Sequence, residues 1–294
     1  YITGSSARLL GREIATQMRG RSLRHEFFPF SFRERLEFAK IETTGRQESA
    51  HVRALFRSFL TEGGFPEATG LSDTLKRKLL REYFDLLLLR DVIERNRATN
   101  IPALKFLFAR LLGHPASAYT INKLFEQMKS LGYRLDKSSI TEWIGWFEDC
   151  YALYTVPLLT PSIAKQNTNP KKIYSIDNAL SLIPNPLILN DYGRLLENAV
   201  FLELRRSREP GTIHYYKSKK GLEVDFVVEQ ENGSKHFIQV CADLQNEPTR
   251  AREFAALKEV QNEFGPSARC TLITLEESGE EDGIEILPAW KFFS

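Results

Sequence analysis

Two apolar runs near the C-terminal end constrain the fold most: Gly221-Leu-Glu-Val-Asp-Phe-Val-Val228 and, after a short hairpin-like gap, Phe237-Ile-Gln-Val-Cys-Ala242. Both read as strands. Residues two apart on a strand share a face, so Glu223 and Asp225 point one way, and Gln239 and Cys241 share a face of the next strand. Around this pair the pattern predicts a helix over 192–206, a strand over 214–217, a helix over 247–264, and strands over 269–274 and 283–288. A helix, three neighbouring strands, a helix and a further strand specify an α/β unit with a mixed sheet. The acidic run 276–282 reads as a solvated turn.

The chain of 294 residues exceeds the roughly 100–150 residues usual for one domain, so several units are expected. Its 40 basic and 38 acidic residues leave a formal charge of +2, which selects no partner class; only local clusters can do so. No apolar run approaches the roughly 20 residues of a membrane span, and no signal peptide is visible. Cys150, Cys241 and Cys270 are far apart without C-x-x-C spacing, and the five histidines are scattered. That usage predicts a cytoplasmic protein without membrane attachment, disulfides or a structural metal.

The N-terminal two thirds read as helical. Tyr1-Ile-Thr-Gly-Ser-Ser6 looks like the end of a buried strand before a helix, which predicts a further segment upstream. Ser31 and Glu34 form a capping box for a helix over 32–40. Helices follow over 51–60, closed by Gly63-Gly64-Phe65-Pro66, then over 73–96 and 101–112. Residues 120–131 and 138–153 have helix-turn-helix spacing, the second with a capping box at Ser139 and Glu142. A strand over 154–160 leading to a wing completes a pattern that resembles a winged helix; a Pro/Asn/Lys-rich loop over 161–172 and a strand over 172–176 follow. A plain helical hairpin is the alternative.

The strand pair resembles the active-site hairpin of the PD-(D/E)XK nuclease-like fold, with Glu197 on the preceding helix. That resemblance makes Glu197, Asp225 and Gln239 the catalytic candidates, and Asp225 and Gln239 the ligands of Mg²⁺, a hard cation that prefers oxygen donors. Cys241 stands at the lysine position, where a thiol supplies no positive charge and is a poor ligand for magnesium. Lys217, Lys219 and Lys220 are the candidates for a displaced lysine. With Arg205, Arg206 and Arg208, and with Tyr215 and Tyr216 between them, they also form a candidate phosphate-binding cluster. A solvated lysine turn is the alternative.

Residues 1–10, Arg19-Gly-Arg21, Phe28-Pro-Phe-Ser-Phe-Arg-Glu34, Gly63-Gly-Phe-Pro-Glu67 and Leu222-Glu-Val-Asp-Phe226 occur in an order that resembles a known group. It is that of prokaryotic AAA-type ATPases whose C-terminal half is the domain of unknown function 4143. The resemblance implies the remnant of an ATPase core over 1–41, a helical lid over 42–112, a winged helix over 113–165 and a nuclease-like α/β domain over 166–294. It implies ATP and Mg²⁺ as cofactors of the whole protein, with Thr3 and Arg21 as nucleotide-sensing candidates. No G-x-x-x-x-G-K-[ST] phosphate loop occurs in this chain. The function implied is an ATPase that docks on DNA through the winged helix and a nuclease-like domain that has lost catalysis. A metal-dependent nuclease with a displaced lysine and a signalling ATPase with protein-binding domains are the alternatives; oligomer formation is left open.

Overall fold

A computed structural model describes residues 25–41, 46–208, 212–230, 233–265 and 268–293. The expected strand and helix of residues 1–18, and the candidates Thr3 and Arg21, lie outside these residues.

The Ser31 hydroxyl accepts from the N–H of Glu34, and the Glu34 carboxylate accepts from the N–H of Ser31 at 2.7 Å, so the expected capping box opens α1 (Phe32–Phe38). The next helix, α2 (Arg46–Glu62), closes at Gly63, whose φ of +73° is the left-handed conformation that ends a helix without steric cost. α3 (Asp73–Leu86) continues directly into a π-helical stretch, Leu87–Glu94. The expected single helix over 73–96 therefore changes pitch within its leucine run. The wider turn seats Leu88, Val92 and Ile93 in the core while Leu86 and Leu89 stay exposed. α4 (Ile101–Leu112) follows.

The middle of the chain runs β1 (Ser117–Tyr119), α5 (Ile121–Ser130), α6 (Lys137–Asp149), β2 (Leu153–Val156), α7 (Ile163–Thr168) and β3 (Lys171–Ser175). The three strands form an antiparallel sheet in the order β1-β3-β2. α6 is capped by Asp136, whose carboxylate accepts from the Ser139 N–H at 2.7 Å. This corrects the expected cap at Ser139. Asp136 wins because an ionised acceptor at a helix N-terminus also meets the positive end of the dipole. Buried Leu104, Phe108, Ile140, Ile144, Phe147, Leu153 and Ile173 unite α4, α6 and the small sheet into one core.

After the short helix α8 (Asn178–Ser181) and a 3₁₀ turn, Pro186–Asn190, come α9 (Tyr192–Arg206), β4 (Ile213–Lys217), β5 (Glu223–Glu229) and β6 (Lys235–Val240). α10 (Glu247–Phe264), β7 (Arg269–Thr274), β8 (Gly279–Glu281), β9 (Ile284–Pro288) and α11 (Ala289–Phe292) complete the described chain. The expected mixed sheet is present, in the order β4-β5-β6-β7-β9-β8, with β6, β7 and β9 parallel and the other pairs antiparallel. Part of the acidic run 276–282 is the edge strand β8 rather than a turn. Charged residues suit an edge, where one row of backbone groups faces water.

Each face of this sheet is covered. Phe237, Val227 and Leu272 pack on Phe254, Leu257 and Val260 of α10. Phe226, Val228, Ile238 and Ile273 pack on Leu196, Val200 and Leu204 of α9, and the same core takes in Phe32 and Leu36 of α1 and Phe56 and Leu60 of α2. α1 and α2 therefore share the core of the C-terminal sheet, whereas α3 and α4 share the core of the small sheet. The expected divisions at 41/42 and 112/113 do not follow these two cores. The one at 165/166 falls between β2 and β3, which pair with each other.

His236, opposite Arg269 in the β6–β7 register, is buried with its Nε2 2.9 Å from Thr271 Oγ1. Burial, reinforced by the charges of Arg269 and Arg208, pushes its pKa down to about 4. The unfolded chain titrates near the ordinary value of about 6.5, so the stability this group contributes is present above that pH and lost as pH falls toward 4. Urea unfolding of His236→Gln between those limits should show a pH dependence flatter than that of the wild type by about 3 kcal/mol. Equal slopes would remove His236 as the source.

Candidate functional site

α9, β3, β5 and β6 converge on one cluster. On β3, residues 172 and 174 share a face, and both side chains reach across to α9 and β5. Lys172 Nζ lies 2.7 Å from Asp225 Oδ1, 2.9 Å from Glu223 Oε1 and 3.0 Å from Glu197 Oε1. Only 5% of the lysine side chain is exposed, so three carboxylates satisfy the three donors of one ammonium in a water-poor setting. The Tyr174 hydroxyl donates to the same Glu197 oxygen at 2.8 Å, and its ring stacks on Phe201 of α9 at 4.3 Å, which fixes its direction.

β5 and β6 complete the cluster. The Asp225 N–H donates to Gln239 Oε1 at 3.2 Å, and the Val240 N–H donates to Asp225 Oδ2 at 3.0 Å. Gln239 Nε2 donates to Glu253 of α10 at 2.5 Å, and Glu253 also holds Arg252. A cleft of about 310 Å³ opens beside these groups, lined by Glu197, Glu223, Asp225, Gln239, Arg252 and Glu253.

Electrostatics follow from burial and charge. Burial alone would lower the Lys172 pKa, but Asp225 first and then Glu197 hold it well above its ordinary value. Three acids around one buried Nζ thus favour the charged ammonium. Burial, and next the charge of Asp225, raise the Glu197 carboxyl above the ordinary carboxylate range against the opposing pull of Lys172.

The structure thus brings Glu197, Asp225 and Gln239 together, as the sequence pattern predicts. It also places Glu223 beside Asp225, on the shared strand face expected. The displaced lysine is not Lys217, Lys219 or Lys220. Those three are exposed, and Lys220 pairs with Glu259 at 2.7 Å. Lys172 comes instead from β3, at the end of what the sequence shows as a loop. A lysine two positions before a tyrosine within an apolar strand is the only local signal it carries. Cys241 packs in the α10 core, its thiol donating to Asp243 O at 3.2 Å, and burial pushes its pKa up to about 11. It supplies no charge to the site.

These residues do not fit a magnesium ion. The centre that a cation would share between the acids is filled by Lys172 Nζ. Asp225 Oδ2 is held by a backbone N–H, and Gln239 Oε1 faces the Asp225 N–H rather than the cleft. Among the described residues no group of three or more His, Cys, Asp or Glu is arranged to hold a metal ion.

The expected basic cluster is also redistributed. Arg205 pairs with Glu26, and Arg206 donates to Pro29 O at 2.5 Å and lies 3.7 Å from Glu203. Tyr215 and Tyr216 are buried rather than on the surface. Both arginines and both tyrosines are thus committed to packing, and Lys217 and Lys219 remain as exposed cations.

Fold and site together define a protein in which a largely buried ionic cluster joins the small sheet to the C-terminal α/β unit. Residues 53–183 match the family described as Domain of unknown function (DUF8612), and residues 192–292 match the one described as Domain of unknown function (DUF4143). The chain is 34% identical over 311 aligned positions to the uncharacterized protein MJ1544 of Methanocaldococcus jannaschii, covering 99% of this chain and 68% of that protein. It is 25% identical over 291 positions to an uncharacterized protein of Haemophilus influenzae, covering 97% of this chain and 68% of that one. The chain belongs to the family of the M. jannaschii protein, and its C-terminal part is the DUF4143 domain that the motifs led us to expect. Lys172 lies in the first matched region and its three carboxylates in the second, so the cluster joins them. Among the described residues no helix is long and apolar enough to cross a membrane.

Proposed function

We propose that this chain docks on duplex DNA as part of an ATP-binding protein, with a nuclease-like C-terminal unit that holds structure rather than cuts. The observation that carries the docking reading is an exposed basic corner where α5 meets the N-terminal end of α6. Lys123, Lys129, Arg134 and Lys137 are exposed there, and Lys129 and Lys137 sit 5.9 and 5.4 Å from the ring of Phe125. Glu126 and Glu142 flank the corner and Asp136 lies within its turn, so its positive face is made by the side chains of the four cations. Asp136 caps the α6 N-terminus and takes up the Ser138 hydroxyl, so the groups that suit phosphate oxygens are the four exposed cations around it.

The order α4, β1, α5, α6, β2, β3 supports reading this unit as a winged helix, with α6 in the place of the recognition helix. The order α9, β4, β5, β6, α10, β7 supports a nuclease-like reading of the other unit. Loss of catalysis there is supported by Lys172, which occupies the centre of the acid cluster. The ATP-binding part of the proposal rests on the sequence motifs alone, including those of Thr3 and Arg21.

Fluorescence anisotropy with labelled duplex tests the reading. Affinity should fall with salt, and replacing Lys123, Lys129, Arg134 and Lys137 by Gln should weaken binding about tenfold or more and make the salt dependence shallower. Replacing Lys217, Lys219 and Lys220 should have the smaller effect. No binding at low salt would favour a protein-docking signalling ATPase instead. Mg²⁺-dependent cleavage of the duplex that disappears in Asp225→Ala would overturn the claim that the C-terminal unit does not cut.

A further inference from the structure

A cavity of about 570 Å³ lies between α3 and the segment that carries α8 and the 3₁₀ turn, residues 178–190. Its volume is that of a small-molecule site. One wall is apolar, built from Leu80, Leu182, Ile183 and Leu189. The other carries Lys76, Arg77, Lys78 and Arg81, four cations within two turns of one helix.

These cations are not equivalent. Lys76 is buried and already neutralised by Glu62 at 3.1 Å, a carboxylate that also meets Arg35 at 3.2 Å. Arg77, Lys78 and Arg81 are exposed, and among the described residues no carboxylate pairs with any of them. Arg81 Nη2 reaches only the Ile183 carbonyl, at 3.5 Å across the cavity mouth. Asp73, the second acid of the lining, points its side chain into solvent. Residues 77 and 81 are one turn apart on a helix, so both arginines project from one helix face, and both line the cavity. Three uncompensated cations along one wall repel each other, and a bound anion removes that repulsion. Paired arginine forks match the oxygens of a phosphate group, and an apolar wall opposite them matches a ring or an alkyl body.

We propose that this cavity binds a small phosphate monoester with an apolar body, its phosphate held by Arg77 and Arg81 with Lys78, and its body against Leu182, Ile183 and Leu189. The site shares no residue with the α5–α6 corner, so the two proposals stand or fall separately.

Isothermal titration of the whole chain with 1-naphthyl phosphate, 1-naphthol and inorganic phosphate tests it. 1-Naphthyl phosphate should bind saturably, and about tenfold more tightly than either inorganic phosphate or 1-naphthol, because only it engages both walls. Arg77→Gln with Arg81→Gln should weaken that binding about tenfold or more, the loss of charge-assisted hydrogen bonds. Both positions are exposed, so the double variant should melt with the wild type. Arg33→Gln with Lys105→Gln removes the same charge at exposed positions elsewhere and should leave the affinity unchanged. Absence of saturable binding, equal binding of 1-naphthol, or equal loss in the two double variants would each overturn the proposal.

Discussion

Replacing Lys172 by Met should destabilise the protein by about 3–5 kcal/mol near neutral pH, because it strands buried carboxylates without their counter-ion. Glu197, Glu223 and Asp225 each place an oxygen within 3.0 Å of the one ammonium. Without it their negative charges face one another at the base of the cleft, with Glu197 and Asp225 largely buried, and uptake of a proton by one of them relieves the repulsion. Glu197 is the acid most disposed to do so, since burial and the neighbouring Asp225 already raise its pKa and Lys172 is the chief group opposing them. A carboxyl whose folded pKa is raised contributes stability that is present at low pH and lost as pH rises through the folded value. The deficit of Lys172→Met should therefore be smaller at about pH 5 than at about pH 8. Adding Glu197→Gln should recover part of the loss at the higher pH. Urea denaturation of the three proteins at both values checks this. A deficit independent of pH, or no recovery in the double variant, would mean that the lysine acts through packing rather than charge. Because Lys172 comes from a strand of the small sheet and the acids from α9 and β5, loss of cooperativity between the small sheet and the C-terminal unit should accompany the change.

Gly63→Ala should cost about 3 kcal/mol, and Gly64→Ala about 2 kcal/mol, as strained backbone and overpacking add in the first and overpacking alone acts in the second. Gly63 has a φ of +73°, and a Cβ there would run into the Asp177 carboxylate. Asp177 cannot yield easily. It caps α8, accepting from the N–H of Ala179 at 2.8 Å and of Leu180 at 3.2 Å, and it also accepts from the N–H of Gly64 at 2.6 Å. A Cβ on Gly64 would meet the carbonyl of Phe30, whose own N–H donates to Gly64 O at 2.7 Å. The two glycines thus let the end of α2 lie between the strand-like segment before α1 and the cap of α8. Thermal melts of the single variants and of the pair measure the effect. The pair should fall short of additivity, since both disturb Asp177. Melting of either single variant with the wild type would show that the loop can move away.

Local structure was legible in the sequence wherever short-range chemistry decides it. The capping box at Ser31 and Glu34, the helix stop at Gly63 and the helices α4, α9 and α10 follow from caps, glycine and periodicity within a few residues. The α6 cap was misplaced because Asp136 and Ser139 both satisfy the local rule, and only the backbone path selects between them. The leucine run 86–89 fits a helix of either pitch, and packing of Leu88, Val92 and Ile93 settles which.

The site divides in the same way. Alternation along two strands placed Glu223 with Asp225 and Gln239 with Cys241, and the resemblance to a nuclease-like hairpin singled out Glu197 on the preceding helix. The strand placements are statements about residues a few positions apart. Lys172 stands 25 residues from Glu197 and 53 from Asp225, and its role depends on β3, the central strand of the small sheet, turning one face to α9 and β5. The sequence by itself therefore determined the elements, the acids and their faces, because backbone geometry and hydrogen-bond chemistry act locally. Only the tertiary structure decided which cation meets those acids, because that pairing is made where β3 of the small sheet packs against α9 and β5 and buries the lysine between them.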